Sequence, residues 1–143
     1  MEPRLTIITL GVKDLTEARK FYQQGLGLPT KDPEDSPIVF FNTSGTRIAL
    51  YPLEKLSEDI NPNCPPQGSG FGGITLAHNV RQKQDVDQLL SQAVRAGATL
   101  LKPAQDTFWG GYSGYFSDPD GYVWEVAWSE NFQFDETGAI ILH

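Results

Sequence analysis

The chain has 143 residues, 39% of them apolar, which suits one globular domain with its own core and excludes a low-complexity or disordered protein. Eighteen acidic against eleven basic side chains leave a formal charge of -7, so nucleic acid and anionic membrane surfaces would be repelled. The one cysteine, Cys64, has no partner within the chain, so no disulfide framework is expected, and a reducing cytoplasm is the expected location.

Residues 5–12, "LTIITLGV", are rich in β-branched side chains and read as a strand. Acid and base follow at once, with no cleavage-site pattern of small residues, so the stretch is not expected to be a signal peptide. Asp14 with Glu17 three positions later suits a helix N-cap. Leu15, Ala18, Phe21 and Tyr22 then fall on one side of a helix that Gly25 or Gly27 would stop. "SPIVFFNTSGTRIALYPL" reads as two strands around a turn at Ser44-Gly45. The "NTS" at 42–44 matches a glycosylation acceptor but is expected to be only that turn. The first module, residues 4–53, is therefore expected to be strand, helix and about three strands, βαβββ.

Residues 54–70 crowd Pro, Asn, Gly and charge and read as a linker. Its end, "GSGFGG" at 68–73, has the G-x-G-x-x-G form, but it enters a strand rather than opening a helix, so a hinge is expected instead of a dinucleotide site.

The pattern restarts in a second module, residues 71–129, with "GGITLAH" as its strand. Val86, Leu89, Leu90, Ala93 and Val94 have the spacing of a buried helical stripe, stopped at Gly97. Strands at "ATLLK", "GYSGYFS" and "YVWEVAW" follow, the last two joined by a type I turn over Asp118-Pro119-Asp120-Gly121. "IITL" at 7–10 matches "GITL" at 73–76, and "FFNTSGTRIALY" lies over "YFSDPDGYVWEVA", placing Phe41 over Phe116 and Ala49 over Glu125. Residues 130–143 form a C-terminal extension, with room for a short hairpin or an edge-strand cover.

Glu125 is a carboxylate inside an apolar strand. Alternation puts Val123 and Ala127 on its face and Trp124, Val126 and Trp128 on the other, with the tryptophans in the core. The same rule groups Ile7 with Thr9, and Arg47 and Tyr51 with Ala49. The run "FWGGYSGYF" supplies Phe108, Trp109, Tyr112 and Tyr115 as candidates for a binding wall. His78 lies at an odd offset from Gly73 and reads as a strand-end histidine on the opposite face. Nucleophilic catalysis has no support, because Cys64 lies in the Pro-rich linker and no serine elbow is present.

"LGVKDLTEARKFYQQGLGL" and "GYFSDPDGYVWEVAW" resemble the opening and closing signatures of the vicinal oxygen chelate superfamily, which groups glyoxalase I, bleomycin-resistance proteins and extradiol dioxygenases. The resemblance implies an α+β fold in which two βαβββ modules form a half-open mixed β-barrel with helices outside. It also implies a homodimer and a cleft lined by Ile7, Thr9, Arg47, Ala49, Tyr51, Gly73, Thr75 and Glu125. The family's metal-ligand positions fall on Ile7, Ala49, Gly73 and Glu125, and only Glu125 carries a donor. A divalent ion needs about four N, O or S donors, so no metal cofactor is expected.

Two functions follow. The first is a metal-free binder of a small organic ligand, using Thr9, Arg47, Tyr51, Thr75, Trp109, Tyr112, Tyr115 and Glu125. The second is a glyoxalase-like lyase or isomerase, or a dioxygenase-related enzyme, with Glu125 as general base and a divalent metal as the family's usual cofactor.

Overall fold

A computed structural model describes residues 7–60 and 74–141. Cys64, the Gly68–Gly73 stretch and His143, all weighed above, lie outside these residues. The chain is α+β and divides into two compact units, Met1–Gly72 and Gly73–His143.

In the first unit β1 (Ile7–Val12) leads to α1 (Leu15–Lys20), then β2 (Val39–Phe41), β3 (Arg47–Pro52) and α2 (Leu53–Ile60). Asp14 caps α1 as expected, its carboxylate accepting from the Glu17 amide at 2.9 Å. The helix widens into a π turn over Phe21–Gly25, closed by the Leu26 amide on the Phe21 carbonyl at 2.9 Å. Phe21 and Tyr22 are both buried there, Tyr22 completely, with its ring edge-on to Phe21 and tilted against Phe41. The sheet runs β1-β3-β2, with β1 parallel and β2 antiparallel to β3.

The first module has one strand fewer than expected: strand, helix and two strands among the described residues. Pro29, Pro33 and Pro37 fall where the missing strand would run, and each removes a ladder donor. Arg19 holds that segment instead, donating to the carbonyls of Asp32 at 2.7 Å and Pro33 at 2.5 Å.

The expected linker also proves different, because its first residues are helical. Leu53 and Leu56, nearly one turn apart, lie against Gly11 of β1, where an added Cβ would stand 2.7 Å from Leu53 Cδ1 and 3.2 Å from Leu56 Cδ2. Ending the first module at residue 53 and reading 54–70 by composition alone separates this apolar pair.

The second unit has the full order: β4 (Thr75–Asn79), α3 (Lys83–Ala96), β5 (Thr99–Asp106), β6 (Gly111–Ser117) and β7 (Val123–Ser129), arranged β4-β7-β6-β5. Neither sheet closes on itself among the described residues. Gly97 ends α3 at φ 113°, and the Ala98 amide returns to the Ala93 carbonyl at 2.9 Å. Val86, Leu90 and Ala93 are buried as expected, but Val94 is 44% exposed. It stands to one side of the buried line, next to the completely buried Ala93.

The Asp118–Gly121 turn forms as read, with the Gly121 amide on the Asp118 carbonyl at 3.0 Å and Asp118 Oδ1 accepting from the Asp120 and Tyr122 amides. The extension folds into a small hairpin, bridged at Phe134 and Ile140, with the Arg81 guanidinium 4.7 Å from the Phe134 ring centroid. No helix among the described residues is long and apolar enough to cross a membrane.

Candidate functional site

The two units repeat each other in register. Phe41 pairs with Ile48 in one and Phe116 with Trp124 in the other, as laying Ala49 over Glu125 requires. The parallel pairing differs by two residues: Ala49 faces Thr9, whereas Glu125 faces Ala77 rather than Thr75. A two-residue shift preserves which face each side chain takes.

In the first unit Ile7, Thr9, Arg47, Ala49 and Tyr51 share one face of the sheet. The other face carries the core of Leu10, Val12, Phe41, Ile48 and Leu50. On the expected face Ala49 is completely buried, while Arg47 and Thr9 are exposed.

In the second unit, side chains that are neighbours across the strands form a row: Ala77 on β4, Glu125 on β7, Tyr115 on β6 and Lys102 on β5. Tyr115 donates its hydroxyl proton to Glu125 Oε1 at 2.9 Å, with both residues half-buried. Lys102 Nζ stands 6.0 Å from the Tyr115 ring centroid, at the outer limit of a cation–π contact. Thr75 shares the face and is exposed.

Burial, then the bond to Glu125 and its charge, raises the Tyr115 pKa above the ordinary tyrosine value. A raised phenol pKa stabilises the fold below the unfolded tyrosine's pKa, and that contribution is lost as pH rises toward the folded value. Glu125→Gln removes the negative charge, leaving burial and a weaker bond. Ultraviolet titration of the phenolate should therefore place Tyr115 lower in the variant than in the wild type.

The aromatic candidates divide. Tyr112 lies on the reverse side, where its hydroxyl reaches Asp87 of α3 at 3.1 Å and Lys83 Nζ stands 4.7 Å from its ring centroid. An odd offset from Tyr115 along β6 separates them, so the wall expected to hold both is split between two faces. Phe108 is fully exposed at the hairpin tip. Trp109 is 42% exposed, stacks on Phe132 at 6.0 Å and folds across Gly111, which shares the Tyr115 face.

An added Cβ on Gly111 would stand 1.8 Å from Trp109 Cζ3. Gly111→Ala is therefore expected to push the indole off Phe132, losing a ring pair worth about 0.5–1.5 kcal/mol and shifting tryptophan emission to the red.

His78 pairs with Val126 and so lies on the face opposite Glu125. Much of its surface is open, yet the protein packed around the ring lowers its pKa from the ordinary histidine value. A surface pocket of about 420 Å³ opens between α1 and residues 34–39, lined by both signs of charge, but none of the expected site residues line it.

Fold and site together define an α+β protein of two mixed-sheet units, with one acid standing on an otherwise uncharged strand. The family model of the Glyoxalase/Bleomycin resistance protein/Dioxygenase superfamily matches residues 4–126. A glyoxalase-related enzyme from Fulvimarina pelagi is 33% identical, with a TM-score of 0.88 and 98% of each chain covered. A glyoxalase/bleomycin resistance protein/dioxygenase family enzyme from Burkholderia phytofirmans PsJN is 25% identical, with a TM-score of 0.78 over 87% of this chain and 98% of that one. A lactoylglutathione lyase from Agrobacterium tumefaciens, at 21% identity and a TM-score of 0.68 over 94% of this chain and 100% of that one, shares the fold. No curated protein matches the chain. The chain belongs to the Glyoxalase/Bleomycin resistance protein/Dioxygenase superfamily.

The residues at the positions that the resemblance assigns to a metal do not fit a divalent ion. Ile7 and Ala49 present only hydrocarbon, Gly73 has no side chain, and Glu125 Oε1 already accepts from Tyr115. Among the described residues no three His, Cys, Asp or Glu side chains gather closely enough to hold a metal.

Proposed function

We propose that the protein binds a small organic molecule on the Glu125 face of its second unit, and that recognition does not pass through a metal. The observation that carries this reading is the Tyr115–Glu125 pair: a half-buried carboxylate, oriented by a phenol at 2.9 Å, on a strand face whose other side chains are small or apolar. A polar pair fixed in place on such a surface is how small-molecule sites set orientation. The lone cysteine favours a reducing cytoplasm, and the family resemblance favours a homodimer as the working form.

The test is a fragment screen on chelator-treated, isotope-labelled protein, read by backbone chemical shifts. Hits should move the amides of Tyr115, Glu125 and their neighbours. Glu125→Gln should weaken those hits at least tenfold, a loss of about 1.4 kcal/mol. Hits that bind only after a divalent ion is added, or that map away from β6 and β7, would overturn the proposal.

A further inference from the structure

We infer that the ligand meets the Glu125–Tyr115 pair with N–H donors, as an amine, amidine or guanidine, and not with a carboxylate or carbonyl. This rests on the binding reading above and names the chemistry of its ligand. A phenol has one proton, and Tyr115 gives it to Glu125 Oε1. An ionised carboxylate only accepts. Toward a ligand the pair therefore shows lone pairs alone: Oε2 of Glu125 and the free lone pair of the phenol oxygen.

The residues directly opposite Glu125 do not supply the missing protons. Ala77, the neighbour of Glu125 on β4, has no polar side-chain atom. Strand amides point along the ladder toward neighbouring strands, not out of the face. The polar side chains of Ser113, Ser117, Thr75 and Asn79 share the face but stand a diagonal step from Glu125 rather than opposite it. A ligand seated on the pair has to bring its own donors. A cationic nitrogen forms a charge-assisted bond to the carboxylate roughly twice as strong as a neutral one, and the net charge of -7 draws cations toward the chain.

Lys102 orients the ligand. It lies beyond Tyr115, two strands and about 9.6 Å across the sheet from Glu125. The cationic nitrogen belongs at the Ala77 side of the row, and any anionic or carbonyl group on the same molecule belongs near Lys102.

Three probes of nearly the same shape test this on the full chain: benzamidine, benzamide and benzoate, each titrated at low salt and followed by chemical shifts. Benzamidine should perturb Tyr115 and Glu125 and bind at least tenfold more tightly than either analogue. Glu125→Gln should erase the preference, and Tyr115→Phe, which keeps the carboxylate, should retain it. Benzamide or benzoate binding at Tyr115 and Glu125 as well as benzamidine would overturn the donor rule and leave the site standing. If none of the three perturbs these residues, the donor rule and the site both fall. The wild-type comparison needs no variant to fold.

Discussion

Gly114→Ala should lower the stability of the second unit by about 1–3 kcal/mol, the usual cost of overpacking. An added Cβ would stand 2.6 Å from Leu90 Cδ1, 2.9 Å from the Ala104 nitrogen and 2.9 Å from the Lys102 carbonyl oxygen. The tip of Leu90 can swing aside, but the β5 backbone atoms move only if the ladder moves. The pairing of β5 with β6 slips between Leu100 and Lys102 and again between Lys102 and Gln105, so Gly114 sits where Pro103 and Ala104 press in as an irregularity. Bulges of this kind re-aim side chains. This one leaves Lys102 beside Tyr115, on the Glu125 face. Urea unfolding should therefore show an earlier midpoint, with the Tyr115 environment altered as well. An unchanged midpoint would mean that β5 yields freely and the close approach is incidental.

Phe116→Ala should cost more, about 3–5 kcal/mol, within the range for a large aromatic removed from a core. Phe116 is 2% exposed and stacks on Trp124 with centroids 6.1 Å apart and rings within 4° of parallel. The two are cross-strand partners, one residue along from Tyr115 and Glu125, so the stack backs the strands that hold the polar pair on the other face. With total stability of order 5–15 kcal/mol for a domain, this one change removes a large share of it. Calorimetry should show the loss. A variant as stable as the wild type would contradict the placement of the core on this face.

Much of this arrangement is legible in the sequence because strand alternation is rigid. The division of β7 into a Glu125 face and a Trp124 face, the capped start of α1, the glycine stop of α3 and the Asp118–Gly121 turn all follow from local rules that the fold obeys. Tyr115 as the partner of Glu125 was open to the same logic. Counting outward from that turn sets Ser117 opposite Val123 and Tyr115 opposite Glu125, whereas reading the aromatics as one run joined Tyr112 to Tyr115 across an odd offset.

Other features lay beyond local pattern. α2 is short, and its apolar pair is paid for by contact with Gly11, a partner far back in the chain. The strand missing from the first module depends on three prolines and on the hydrogen bonds Arg19 makes across the segment. The exposure of Val94 depends on how far round α3 the packing reaches, since Ala93 beside it is completely buried.

The function proposed above has Glu125 serving a ligand and not a resident ion. Elemental analysis of protein purified without chelator tests it most directly. Transition metals should be found far below one per chain, since Ile7, Ala49 and Gly73 supply no side-chain donors. A stoichiometric metal that Glu125→Gln removes would contradict it.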